Sequence, residues 1–158
     1  MTSNITLQET LCKTALHKLK RKHPYAWDLN VYRGCQHGCI YCYAQDGHAR
    51  QRRGSFSQNI IIKTNVAEQL DSELSSPFWK REIINIGGVT DSYQPAGALY
   101  TLMPEILRTC IRHRTPVIIS TKSDLILRDK DLIAELAEIT YVNVALTVTV
   151  MNDRIDLS

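Results

Sequence analysis

The sequence predicts an α/β fold, a partial (β/α) barrel of about four strand-helix units. Three observations predict it. Short apolar, β-branched runs at 27–32, 60–62, 83–86, 117–119 and 142–150 alternate with stretches of helical periodicity. Each strand run passes into a loop of Gly, Cys or small polar residues, at the strand end where α/β barrels carry their chemistry. Finally, 158 residues with 44% hydrophobic content suit one domain with a substantial core.

Taken in order, residues 1–23 form a leader in which Leu7, Leu11, Ala15 and Leu19 recur at helical spacing. They predict a short amphipathic helix ending in the basic run 17–23 and stopped by Pro24. The remainder, 24–158, reads as the core domain. Residues 27–32 alternate Trp27, Leu29 and Val31 with Asp28 and Asn30 as a strand. Ile60, Ile61 and Ile62 are a buried strand. Asn65 and Glu68 form a capping-box pair that starts a helix over 66–75. After the strand at 83–86, Gly87 and Gly88 open a loop whose backbone can approach a ligand closely. Pro104 reads as the first residue of a helix with Ile106, Leu107, Cys110 and Ile111 inward. The strand at 117–119 runs into Ser120-Thr121-Lys122-Ser123, and Asp129 caps a helix carrying Leu132, Ile133, Leu136 and Ile139. Repetition of strand and helix implies a parallel sheet with right-handed crossovers. About four units do not close a barrel, so the chain is expected to be the N-terminal part of a larger one, truncated on its C-terminal side. Its last strand, 142–150, would then be an open edge that invites self-association.

The net charge of +3 is mild, and the basic residues cluster at 17–23 and 48–53, two stretches where nucleic acid could be met. No apolar run of about 18 residues exists, which excludes a spanning helix and predicts a cytoplasmic protein with no membrane partner. Five cysteines, an odd number without a secretion signal, argue against a disulfide framework.

Three of those cysteines, Cys35, Cys39 and Cys42, stand in C-x3-C-x2-C spacing within Tyr32-Arg33-Gly34-Cys35-Gln36-His37-Gly38-Cys39-Ile40-Tyr41-Cys42-Tyr43. Thiolates gathered in one loop hold a soft metal centre. Three of them suffice for three irons of a cubane iron-sulfur cluster, leaving the fourth open to a chelating ligand. The alternative is a zinc site completed by His37 or His48 in a zinc-stabilised nucleic-acid-binding module. Cys12 belongs to the polar leader and Cys110 to a helix stripe, where a thiol serves as a small hydrophobe. A ligand pocket beside the metal draws on three loops: Tyr41 of the cysteine loop, Gly87-Gly88 with Thr90 and Asp91, and Lys122, whose ammonium suits a carboxylate.

The cysteine spacing with Tyr41 before the last thiol resembles the radical S-adenosylmethionine (SAM) superfamily. The flanks, Asn30-Val31-Tyr32-Arg33-Gly34 and Ile40-Tyr41-Cys42-Tyr43-Ala44, resemble its spore photoproduct lyase-like branch, often labelled DNA-repair photolyases. That resemblance implies a [4Fe-4S] cluster on Cys35, Cys39 and Cys42 and reductive cleavage of SAM to a 5′-deoxyadenosyl radical. It places Tyr41 near the adenine, Gly87 and Gly88 at the SAM amino group, Lys122 at the SAM carboxylate and Thr147 near the ribose. It also implies an electron donor such as flavodoxin or ferredoxin, and a substrate that includes nucleic acid among its candidates. Two departures stand out. No cysteine lies between Tyr43 and Thr109 to serve as a radical relay, and Gly97 stands where the branch often has an acid. A fragment that keeps the cluster motif but is catalytically idle is the remaining alternative.

Overall fold

The computed structural model describes residues 4–20, 24–47 and 55–149. Its main sheet has five strands in the order β2 (Leu16–Lys18), β3 (Trp27–Leu29), β6 (Ile84–Ile86), β7 (Val117–Thr121) and β8 (Val142–Leu146). β2 is antiparallel to β3, whereas β3, β6, β7 and β8 are mutually parallel. Parallel neighbours require crossovers, and the chain supplies them as helices. α3 (Val66–Leu74) precedes β6, α4 (Ala96–Tyr100) and α5 (Leu102–Arg112) join β6 to β7, and a 3-10 segment (Asp124–Asp129) with α6 (Lys130–Ile139) joins β7 to β8.

Alternation along the strands gives the sheet two different faces. Leu29, Ile84, Ile86, Val117 and Ile119 are buried on one, against Val66 and Leu70 of α3, Ile106, Leu107 and Cys110 of α5 and Leu136 of α6. Register aligns His17, Asp28, Asn85, Ile118 and Asn143 across the other. The architecture is therefore mixed α/β, with helices over one face of the main sheet and all parallel strands ending on one side.

Several expectations are corrected. The leader helix does not form: β1 (Thr6–Thr10) runs parallel to β5 (Asn59–Lys63), and β2 pairs with β3. The spacing of Leu7, Leu11, Ala15 and Leu19 fits a helix, but the leader's backbone finds its hydrogen-bond partners on β5 and β3, and Ala15 and Leu16 also donate to the Glu73 carboxylate of α3 at 2.7 and 3.0 Å. The strand expected over 27–32 breaks at Asn30 into β3 and β4 (Tyr32–Arg33), because the Asn30 side chain accepts hydrogen bonds from Val89 and Thr90. β4 pairs antiparallel with β5, so the isoleucine strand joins a separate three-stranded sheet, β1-β5-β4, rather than the parallel series.

Asn65 precedes α3 but makes no side-chain cap. Its amide bonds the Cys12 backbone instead, accepting from N–H at 2.8 Å and donating to the carbonyl at 3.0 Å, and so ties the leader to the core. Pro104 falls inside the first turn of α5, after Leu102 and Met103. Asp129 likewise forms no cap; its carboxylate takes a two-pronged bond from Arg128 at 2.8 and 3.0 Å. β8 covers only the first part of the expected last strand. Residues 21–23 of the first basic run, the whole of 48–53 with His48, and 150–158 lie outside the described residues.

Candidate metal and cofactor cleft

The cysteine loop begins where β4 ends, and its shape follows from one close approach. Gly34 has φ 83°, and a Cβ there would stand 2.4 Å from the Asn59 carbonyl oxygen, so only glycine lets the loop turn away beside β5. Cys35 then donates its N–H to Phe56 O at 2.9 Å. Two glutamines hold the rest. Gln94, fully buried, accepts from the Gln36 N–H at 2.8 Å and donates to Gly34 O at 3.1 Å, while the Gln36 amide oxygen accepts from Ala96 N–H at 2.7 Å. α1 (Tyr43–Gly47) follows the third cysteine directly.

Cys35, Cys39, Cys42 and Tyr41 line one cleft of about 220 Å³ with Gly87, Gly88, Lys122 and Thr147. All eight residues singled out in the sequence thus share one cavity, at the C-terminal ends of β6, β7 and β8. All five cysteines of the chain are free thiols. Burial pushes the Cys35 thiol up, and hydrogen bonds from the Asp91 and His37 backbone pull against it. Backbone donors aimed at a sulfur are what a metal-bound thiolate uses.

Among the described residues no three His, Cys, Asp or Glu side chains converge closely enough to grip a single metal ion. The three thiols border one cavity, and three thiolates can each take a different iron of a cluster. His37, one of the two histidines open to the zinc alternative, has Nε2 at 3.2 Å from Asp91 Oδ2.

Lys122 follows the last residue of β7, and its ammonium lies beside the Cys39 thiol and the Tyr41 hydroxyl. Partial burial lowers its pKa, but Cys39, Tyr41 and Asp91 outweigh that and raise it, keeping the ammonium charged. Tyr41 is 60% exposed and lines the cleft. Gly87 and Gly88 have internal reasons to be glycine. A Cβ on Gly87 (φ 87°) would stand 2.7 Å from Ser120 O, and one on Gly88 would stand 2.5 Å from Asn85 Nδ2. Neighbouring protein atoms thus demand these glycines directly, while both residues still border the cleft. The Gly88 carbonyl also accepts a hydrogen bond from the Tyr43 hydroxyl.

The residue that sequence reasoning undervalued is Asp91. Its buried carboxylate accepts from Thr121 Oγ1 at 2.7 Å, Tyr93 N–H at 2.9 Å and Lys122 N–H at 2.9 Å, with His37 on its other flank. Burial pushes this carboxyl up, yet the contacts with His37, Lys122, Thr121 and Tyr93 together hold it below the usual carboxylate range. One anion therefore joins the cysteine loop, the glycine turn and the end of β7. Its partners lie 30 or more positions away along the chain for Thr121 and Lys122, so no local pattern marks it. Gln36 and Gln94 were missed for the same reason.

No helix among the described residues is long and apolar enough to cross a membrane. No solved structure matches the chain. Uncharacterized proteins of Mycobacterium tuberculosis and Mycobacterium bovis are each 41% identical over 151 residues, which is 92% of this chain and 44% of theirs. An uncharacterized protein of Methanocaldococcus jannaschii is 30% identical over 135 residues, 80% of this chain and 50% of its own. The chain thus spans half or less of the length of these curated relatives. The radical SAM superfamily profile matches residues 29–157, from the last residue of β3 through the cysteine loop and beyond β8. With that match over most of its length, and the three thiols and Lys122 on one cleft, this chain belongs to the radical SAM superfamily.

Proposed function

We propose that the chain is the N-terminal part of a radical SAM enzyme of the spore photoproduct lyase-like branch, with the cleft as its cluster and SAM site. Cys35, Cys39 and Cys42 would hold a [4Fe-4S] cluster. When bound and reduced, the cluster supplies the electron that cleaves SAM to methionine and a 5′-deoxyadenosyl radical. The protein's own share is binding and placement. Lys122 offers a charge-assisted bond to the SAM carboxylate, Tyr41 a face for the adenine, the Gly87-Gly88 turn backbone for the amino group, and Thr147 a hydroxyl for the ribose. Asp91 acts through its neighbours as a positioning residue, holding Lys122 by its backbone.

The observation that carries this reading is the meeting of Lys122 with Cys39 in one cavity. A fixed cation beside an iron-ligating thiol is where a ligand that chelates the open iron through an amine and a carboxylate needs its counter-charge. Anaerobic reconstitution with iron and sulfide tests it. The expected result is a brown protein that, with reductant, converts SAM to 5′-deoxyadenosine and methionine. A colourless protein with stoichiometric zinc would establish the zinc-binding module instead, and a brown one without SAM cleavage the idle fragment.

The remainder of the reading is a partial (β/α) barrel completed on its C-terminal side, a flavodoxin- or ferredoxin-like donor, an unidentified substrate for which nucleic acid is one candidate, and a cytoplasmic location. Nearly all of β8 is exposed and it has a free edge among the described residues, which supports pairing with a second copy. Sedimentation across a concentration series measures that association.

A further inference from the structure

At the opposite end of the sheet from the cleft lies a second cavity of about 370 Å³, lined by Trp79, Lys80, Arg81, Arg112 and His113 with Leu74 and Ser76. It sits between the loop that carries α3 into β6 and the C-terminal end of α5. β6 and β7 both run from this end toward the cysteine loop, so the two cavities are separated by the length of the strands. No carboxylate lines it. Glu82, beside Arg81 in the chain, accepts from the Trp27 indole at 2.8 Å, whereas Asp71 accepts from the cavity's own Arg112 at 3.0 Å and lies 2.8 Å from its His113 Nε2, so those two lining residues already have a counter-charge. Lys80 and Arg81 form no ion pair among the described residues. Lys80 and Arg81 are thus two uncompensated cations in a cavity that Ser76 also lines, and they leave it with a surplus of positive charge. Its natural occupant is a compact oxyanion. Phe78, immediately before Trp79 in the same loop, is 87% exposed and offers an apolar ring to solvent.

We propose that this cavity binds a phosphate group, carried either by a nucleotide or by a single-stranded nucleic acid whose bases stack on Phe78. It is a site distinct from the cleft and does not depend on the cluster or on SAM.

The chain carries its own reporter, because its only two tryptophans, Trp27 and Trp79, are in edge-to-face contact at 5.6 Å and Trp79 lines the cavity. Tryptophan fluorescence of the whole chain would be titrated with inorganic phosphate, a nucleoside monophosphate and a short single-stranded oligonucleotide, at ionic strength held constant with chloride. The proposal expects saturable binding that weakens about tenfold or more in the exposed Lys80→Ala/Arg81→Ala variant, the loss of bonds to a charged group. Circular dichroism checks that this variant is folded. Phe78→Ala separates the sources: selective weakening of the oligonucleotide assigns nucleic acid, and unchanged binding of all three assigns a free or nucleotide phosphate. No saturable signal with any probe, or equal affinity in the folded double variant, would overturn the proposal.

Discussion

Where α5 lies on the main sheet, Ile106, Leu107 and Cys110 meet Ile84, Ile86, Val117 and Ile119, and the contact is held by the area it removes from water. Where the same strands end, Asp91, Gln94 and Asn30 hold three loops by directed bonds of 2.7 to 3.3 Å. The helix layer contributes about 1.5 to 3 kcal/mol for each large side chain fully buried, and it cares about volume more than direction. The loop layer contributes less net energy per bond, but each partner it loses leaves a buried donor unmet. Stability is thus concentrated in one layer and geometry in the other. The cleft is built on the second.

The sharpest break in this contrast is expected at the thiols. Cys42→Ala leaves two loop cysteines, and the other free cysteines cannot substitute: Cys110 is buried in α5 with its pKa pushed up to about 12, and Cys12 is hydrogen-bonded to Asn65 at 3.3 Å. Reconstituted protein should lose its cluster entirely while melting as the wild type does. Iron analysis decides; about four irons per chain would contradict the ligand assignment.

Next come paired substitutions, one in each layer. Leu107→Ala should cost about 2 to 5 kcal/mol in urea unfolding yet leave cluster content unchanged in the folded protein. Asp91→Ala should cost about 3 kcal/mol by stranding the Thr121, Tyr93 and Lys122 donors, and should also impair cluster retention. If both variants lower stability but neither touches the cluster, the division between layers fails.

Lys122→Met is expected to have a smaller and purely local effect. It should weaken SAM binding by about 1.5 to 3 kcal/mol, as for a hydrogen bond to a charged group, with iron content and melting unaltered. Equilibrium dialysis with SAM measures it, and unchanged affinity would return the residue to the solvent-facing surface.

The smallest effect belongs to Asp71, on the exposed side of the helix layer. Contacts from His113 first, and then Arg112, hold its carboxyl below the ordinary range. A lowered pKa in the folded state means that the unfolded chain binds the proton more readily. The contribution is therefore fully present above the usual carboxylate pKa of about 3.9 and is lost as pH falls through the lowered value. Asp71→Asn should lower the melting temperature slightly at neutral pH and match the wild type in acid, so that the slight acid sensitivity of the melting curve is flattened.

The sequence by itself determined what depends on neighbours in the chain. Helical periodicity located α3, α5 and α6, and β-branched runs located β5, β6, β7 and β8, because burying one face is a local pattern. Cysteine spacing located the thiols, and Lys122 was readable because it ends a strand. Tertiary structure alone decided the rest. It turned the leader into strands, since a backbone whose leucines fit either geometry takes the partner that β3 and β5 provide. It gave Asn65 to Cys12 across 53 positions and Gln36 to Gln94 across 58, and it made Asp91 the joint of three loops. A hydrogen bond is specified by where two atoms meet in space, and periodicity along the chain carries no record of that meeting.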